Sequence, residues 1–214
     1  MKKIRVMLAD DHQMLRDGLK ALLSASQDIE VVAAVGDGRE AVRVAQELSP
    51  DVVVMDLSMP ELNGVEAARL LRDKCPATRV VILSMHSSSE HVHRALEAGA
   101  VGYLLKESAG REVDAAVRAV HAGRRYLSPV LEAAEPGARP GVAQKSPLER
   151  LTARERQVLQ LVVEGHSSAE IARLVHLSPK SVGTYRSRLM KKLGVGDIPA
   201  LVRLAIQHGI TPPG

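Results

Sequence analysis

Within residues 1–124, five short apolar runs alternate with five stretches of helical spacing. The runs are Ile4–Ala9, Val31–Val35, Val52–Met55, Val80–Leu83 and Val101–Leu105. They are rich in β-branched side chains and do not alternate with polar ones, the pattern of strands buried on both faces. Between them Leu15, Leu19, Leu22 and Leu23 share one helical face, as do Ala41, Val44, Ala45 and Leu48. Val65, Ala68 and Leu71 repeat the spacing, and so do Val113, Ala116, Val117 and Val120. Ser89–Ala98 is polar-rich and reads as a half-exposed helix. Strict alternation of this length specifies a parallel sheet with helices on both faces. Right-handed crossovers leave few strand orders, of which 2-1-3-4-5 is the common one. The expected fold class is α/β, a five-stranded doubly wound parallel sheet.

All C-terminal ends of such a sheet lie on one rim, so the residues just past each strand converge there. Strand one runs into Asp10-Asp11, strand three into Asp56, strand four into Ser84 and strand five into Lys106. Strands one and three are neighbours at the switch point, where α/β sheets collect ligands. Asp10, Asp11 and Asp56 are thus expected within a few ångströms of one another. Packed carboxylates raise one another's pKa, and a divalent cation or an ammonium relieves this. Few carboxylates with open positions suit Mg²⁺, which keeps waters and binds phosphate oxygens. Lys106 can pair with the cluster or with a phosphoryl oxygen, and Ser84 can donate to the same group. An Asp is a competent nucleophile toward phosphorus. No Gly-rich phosphate loop or kinase signature is present, which points to a phosphorylated partner or a small acyl phosphate as donor rather than ATP. A helix-capping role for Asp56 or Ser84 is the alternative at each position. An aspartate-nucleophile phosphatase is a rival reading, weakened by Ser58 standing two residues after Asp56.

After residue 124 the pattern breaks. Pro129, Pro136, Pro140 and Pro147 with Gly137 and Gly141 read as a semi-extended linker over residues 125–147, with room for a turn of helix at Ser128–Ala134. Charge separates the two ends of the chain: residues 1–124 carry a net −2, residues 125–147 +1 and residues 148–214 +5. A basic C-terminal third suggests a polyanion partner, with a solvated basic face as the alternative. Phe and Trp are absent and only three Tyr occur, which argues against base-stacking binding of single strands. The lone Cys75 excludes an intrachain disulfide, no apolar run is long enough to span a bilayer, and the N-terminus is no signal peptide. A cytoplasmic location without membrane attachment is expected.

Residues 148–214 are helical throughout. Thr152-x-x-Glu155 and Ser167-x-x-Glu170 are capping-box signatures, Ser178-Pro179 opens a third helix, and Asp197 opens a fourth. The short turn His176-Leu177-Ser178 makes the second and third helices a helix-turn-helix. On a helical wheel, Val182, Leu189, Leu193 and Arg186 gather near the core, with Tyr185 on its edge. Lys180, Thr184, Ser187, Arg188 and Lys191 take the other face, and no acidic residue occurs from Pro179 to Val195. Such a face suits the major groove of double-stranded DNA, and Gly183 lets the backbone approach. The inward Arg186 is expected to pair with Glu155 or to reach a phosphate.

Asp10-Asp11, Asp56 with Pro60 and Gly64, Ser84 and Gly102-Tyr-Leu-Leu-Lys106 resemble the receiver domain of two-component response regulators over about residues 3–122. Leu151-Thr-Ala-Arg-Glu155 through Lys191-Lys-Leu-Gly-Val195 resembles the LuxR-type helix-turn-helix, and the whole chain looks like the NarL/FixJ class. The resemblance implies a phosphoacceptor at Asp56, served by a sensor histidine kinase. It implies Mg²⁺ held by Asp11, Asp56 and the Ser58 backbone carbonyl, with Asp10 assisting. Ser84 and Lys106 would contact the phosphoryl group, and Tyr103 would turn inward as Ser84 moves. Met85 stands next to Ser84 where many relatives have the smaller Ala, and a plain packing role near the edge strand is the alternative for Tyr103. DNA contacts are implied for Lys180, Ser181, Gly183, Thr184, Tyr185, Ser187, Arg188 and Lys191. Tyr185 stands where many relatives have His, and Ser181 where many have Thr. The expected function is a phosphorylation-switched DNA-binding transcription regulator without catalytic turnover. Its active form is expected to be a homodimer reading two half-sites. A phosphorylation-independent interaction module is the remaining rival.

Overall fold

The computed structural model of the chain describes residues 2–134, 147–208 and 210. The chain divides into two compact units. The first holds β1 (Ile4–Ala9), α1 (Gln13–Ser24), β2 (Ile29–Val35), α2 (Gly38–Leu48), β3 (Val52–Asp56) and α3 (Gly64–Lys74). It continues with β4 (Arg79–Ser84), α4 (Ser89–Glu97), β5 (Gly102–Leu105), α5 (Ala109–His121), β6 (Tyr126–Leu127) and α6 (Pro129–Ala134). The strands form one parallel sheet in the order β2-β1-β3-β4-β5-β6. β3 is central and buried along its whole length, which explains its unbroken apolar run. Leu19 and Leu23 of α1 and Val113, Ala116, Val117 and Val120 of α5 pack on one face of the sheet. Leu22, expected on the inner face of α1, is instead 47% exposed, because α1 needs only a narrow stripe to cover the sheet beside α5.

The sheet has a sixth strand where five were expected. Tyr126 pairs with Gly102 and Leu127 with Tyr103, and α6 comes directly after. The first unit therefore runs past residue 124, into the segment read as linker. Two residues are too few to show a strand period, and Pro129 directly beyond reads as a breaker. The rest of the expected linker, residues 135–146, lies outside the described residues.

The loop from β3 to α3 is set by close packing. The Asn63 side chain accepts from Glu66 N at 3.0 Å and caps α3. Gly64 N donates to Leu57 O at 2.8 Å. A Cβ on Gly64 would lie 2.2 Å from the Asp56 carbonyl oxygen, so glycine is required by proximity. Gly64→Ala is expected to destabilise the protein by about 1–3 kcal/mol, the usual cost of overpacking. Urea denaturation measures it, and an unchanged midpoint would show that this loop yields freely.

The second unit holds a short 3₁₀ turn (Pro147–Arg150), α7 (Ala153–Val163), α8 (Ser168–Leu174), α9 (Pro179–Leu193) and α10 (Ile198–Gln207). Both expected capping boxes form: Thr152 with Glu155 on α7 and Ser167 with Glu170 on α8. Ser178 caps α9, Pro179 occupies its first turn, and Gly194 ends it with φ 68°. Leu159, Leu161, Ile171, Val182, Leu189, Leu201 and Ala205 form an aliphatic core.

Candidate functional site

Four strand ends meet on the C-terminal rim of the sheet. Lys106 Nζ lies 2.7 Å from Asp56 Oδ2 and 3.0 Å from Asp10 Oδ2. Asp56 Oδ1 accepts from the Ser58 amide at 3.2 Å. Asp10 Oδ1 accepts from the His12 amide at 2.8 Å, and the Arg16 guanidinium donates to the Asp10 carbonyl. Asp10 and Asp56 are both buried, whereas Asp11 is exposed. Burial, then the neighbouring Asp10 carboxylate, push the Asp56 carboxyl up to about 7 despite Lys106. Burial works against a charged Lys106, but Asp56 and Asp10 outweigh it and hold its pKa above the usual lysine value. A carboxylate thus sits at a strand end with one fixed ammonium and a second acid at its side.

Ser84 and Tyr103 are joined through one backbone segment. Ser84 Oγ accepts from the His86 amide at 2.9 Å, and the Tyr103 hydroxyl donates to the His86 carbonyl at 2.7 Å. Tyr103 is fully buried, and burial pushes its hydroxyl up to about 12. It already lies inside the fold, while Met85 between Ser84 and His86 is 74% exposed. His86 stacks on His91 with ring centroids 4.4 Å apart. Ser84 does not cap α4; the residue at that position is Ser88.

His12 belongs to this rim, although strand-end spacing does not single it out. Its Nδ1 lies 2.8 Å from Asp11 Oδ1 and 3.3 Å from Asp10 Oδ1. Its position directly after Asp10-Asp11 is the signal that could have found it. Single ligand atoms of Asp10, Asp11, His12 and Asp56 all lie within 4.8 Å of one another. This donor set fits a divalent cation. Asp10 Oδ2 is buried and reaches Lys106 without hydrogen-bond geometry, so it retains acceptor capacity. The acids also outnumber the one ammonium among them.

In the second unit, α9 presents Lys180, Gly183, Thr184, Ser187, Arg188 and Lys191 as exposed residues, with Ser181 and Tyr185 half-buried. Thr184 Oγ1 donates back to Lys180 O and Ser187 Oγ to Gly183 O, each at 3.2 Å. Ser181 Oγ lies 2.9 Å from Ser178 Oγ at the cap. These hydroxyls keep acceptor capacity beside the exposed Lys180, Arg188 and Lys191. Arg186 does not pair with Glu155. It donates to Ser168 Oγ at 3.3 Å, and Lys192 Nζ takes Glu155 Oε2 at 2.7 Å. The buried capping carboxylate is reached by the longer, more flexible stem one turn and a half further along α9.

Residues 6–118 match the family described as "Response regulator receiver domain". Residues 149–205 match "Bacterial regulatory proteins, luxR family". The transcriptional regulatory protein MctR of Rhizobium johnstonii is 39% identical, over 97% of this chain and 95% of its own. The chain is a response regulator of the LuxR family. The transcriptional regulatory protein DegU of Brevibacillus brevis is 36% identical to this response regulator, over 97% of this chain and 94% of its own. A crystal structure of a LuxR-family two-component response regulator from Aurantimonas sp. is 41% identical, with a TM-score of 0.59. It covers 62% of this response regulator and 94% of the solved chain. No helix among the described residues of the response regulator is long and apolar enough to cross a membrane.

Proposed function

We propose that this response regulator accepts a phosphoryl group on Asp56 from a partner histidine kinase and thereby controls binding of α9 to double-stranded DNA. The observation that carries the reading is the Lys106–Asp56–Asp10 cluster on the sheet rim, in a chain that also holds a basic helix-turn-helix. A carboxylate oxygen of Asp56 attacks phosphorus as the phosphorus–nitrogen bond of the donor phosphohistidine breaks, and the imidazole leaves with the electron pair, its nitrogen taking a proton from solvent. Lys106, held 2.7 Å from Asp56, neutralises charge gathering on the phosphoryl oxygens. The Ser84 hydroxyl, which accepts from the His86 amide, can donate its own proton to them. Mg²⁺ would be held by Asp10, Asp11, Asp56 and the Ser58 carbonyl, and supplies charge neutralisation for the transferring group. The product is a modified Asp56 that persists as a signal, so Asp56 acts as an acceptor without turnover. Active protein binds DNA as a homodimer with two α9 helices in successive major grooves.

Genome-wide DNA occupancy with and without a phosphodonor tests the reading. Occupancy of discrete sites is expected to rise with the donor, and occupancy indifferent to it would favour a phosphorylation-independent module.

The raised Asp56 pKa gives a pH signature. Only the carboxylate is nucleophilic, so labelling by acetyl phosphate without divalent metal is expected to fall as pH drops through about 7. A cation at the cluster favours the charged form and moves that fall to lower pH. Initial labelling rates against pH, with and without Mg²⁺, measure both. A midpoint unmoved by Mg²⁺ would remove the cation from this cluster.

A further inference from the structure

Ser128, directly after β6, takes no part in the phosphoryl site, yet it is fully buried and bonded through its amide, carbonyl and hydroxyl. Its amide donates to Tyr103 O at 3.0 Å, the last regular rung between β6 and β5. Its carbonyl turns to α6, accepting from Leu131 N at 2.8 Å and Glu132 N at 3.3 Å. The next rung of the sheet is thereby left without that backbone acceptor. The hydroxyl supplies it: Ser128 Oγ accepts from Leu105 N at 3.0 Å and donates to Glu112 Oε2 of α5 at 2.6 Å. The next amide along the chain, Lys106 N, donates to Ser84 O at 2.8 Å on the other side. Two consecutive amides at the end of β5 thus join Ser84 to one flank and Ser128 to the other, and the second of them carries the ammonium that holds Asp56.

Resting on the function proposed above, we propose that Ser128 is a positioning residue that couples the phosphoryl-site end of β5 to the segment leaving for residues 147–214. A phosphoryl group on Asp56 presents new oxygens to Lys106 and Ser84, which draws the end of β5 from its present position. Because the Leu105 rung is a side-chain hydroxyl belonging to the first residue before α6, that displacement passes to β6 and α6 rather than ending at the sheet edge. The Ser128 amide already ties the α6 start to Tyr103, and the hydroxyl adds a second tie at Leu105, directly beside Lys106.

The test uses the full chain, beryllofluoride with Mg²⁺ as the phosphoryl mimic, and a DNA fragment selected from a random pool by the loaded wild-type chain. Wild-type affinity for that fragment is expected to rise about tenfold or more on loading, within the usual range of coupling. Ser128→Ala is expected to bind beryllofluoride as the wild type does, read by fluorine NMR, while its gain in DNA affinity falls below about twofold. Ser128→Thr keeps the hydroxyl and is expected to retain most of the gain. A full gain in Ser128→Ala overturns the proposal. Loss of beryllofluoride binding in Ser128→Ala overturns it too, since the serine would then serve the site or the fold. Failure of Ser128→Thr to retain the gain would assign the effect to packing and equally overturn it. No gain in the wild-type chain would overturn the proposed function, and this inference with it.

Discussion

Asp56→Asn is expected to abolish stable labelling by acetyl phosphate, taking stoichiometry in the intact-mass spectrum from near one to background. The amide has no anionic oxygen to attack phosphorus. Asn also removes one of the two acids that hold Lys106, leaving Asp10 at 3.0 Å as its partner. The fold is expected to survive. Burial and Asp10 raise the Asp56 pKa from 3.8 to about 7, so the folded state disfavours the carboxylate relative to the unfolded chain. That penalty grows as pH rises from the unfolded value and is complete above about 7. Asn carries no such charge, so the thermal midpoint of Asp56→Asn at pH 8 is expected to hold or rise. Labelling retained at full stoichiometry in a folded Asp56→Asn protein would place the acceptor elsewhere.

The second large effect belongs to α9. Arg188→Ala is expected to weaken binding to a selected DNA site by about 1–3 kcal/mol and to relax preference at one base position, the usual loss for a base-reading arginine. Lys180→Ala is expected to lower the slope of log affinity against log salt by about 1, with little change in sequence preference. Placement sets the division. Lys180 stands in the first turn of α9, where a lysine would meet a backbone phosphate held at the positive helix end. Arg188 stands two turns further in, on the exposed face shared with Thr184 and Ser187. Titrations of both variants over a salt series separate the two. If each kept its slope and its affinity, another surface would face the DNA.

Much of the rim was legible because βα alternation fixes which residues end each strand. Asp10, Asp56, Ser84 and Lys106 emerge from that alone, as do the capping boxes of the C-terminal helices from their own spacing. The features that escape depend on contacts that carry no period. β6 is two residues long, shorter than any repeat that could announce it. His12 enters the acid cluster through a single ring nitrogen. Ser128 completes a sheet rung with a hydroxyl to a residue 23 positions away, which no local spacing encodes. The Glu155 partner differs from the expected one for a related reason. A helical wheel gives the direction of a Cβ and not the reach of a long stem. Lys192 lies about 80° from Val182 on the wheel, yet its ammonium arrives at the buried carboxylate while Arg186 turns to Ser168.

The scarcity of aromatic residues has a practical side. With neither Trp nor Phe present, all near-ultraviolet signal comes from three tyrosines. Tyr103 is sealed beneath the Ser84–His86 turn, Tyr126 lies half-exposed in the edge strand, and Tyr185 sits half-buried on α9. Two of them belong to the first unit and the third to the second. The molecule therefore carries its own optical reporters. Three single Tyr→Leu variants would let emission and near-ultraviolet dichroism resolve the order in which those tyrosines respond, with no dye attached to the chain.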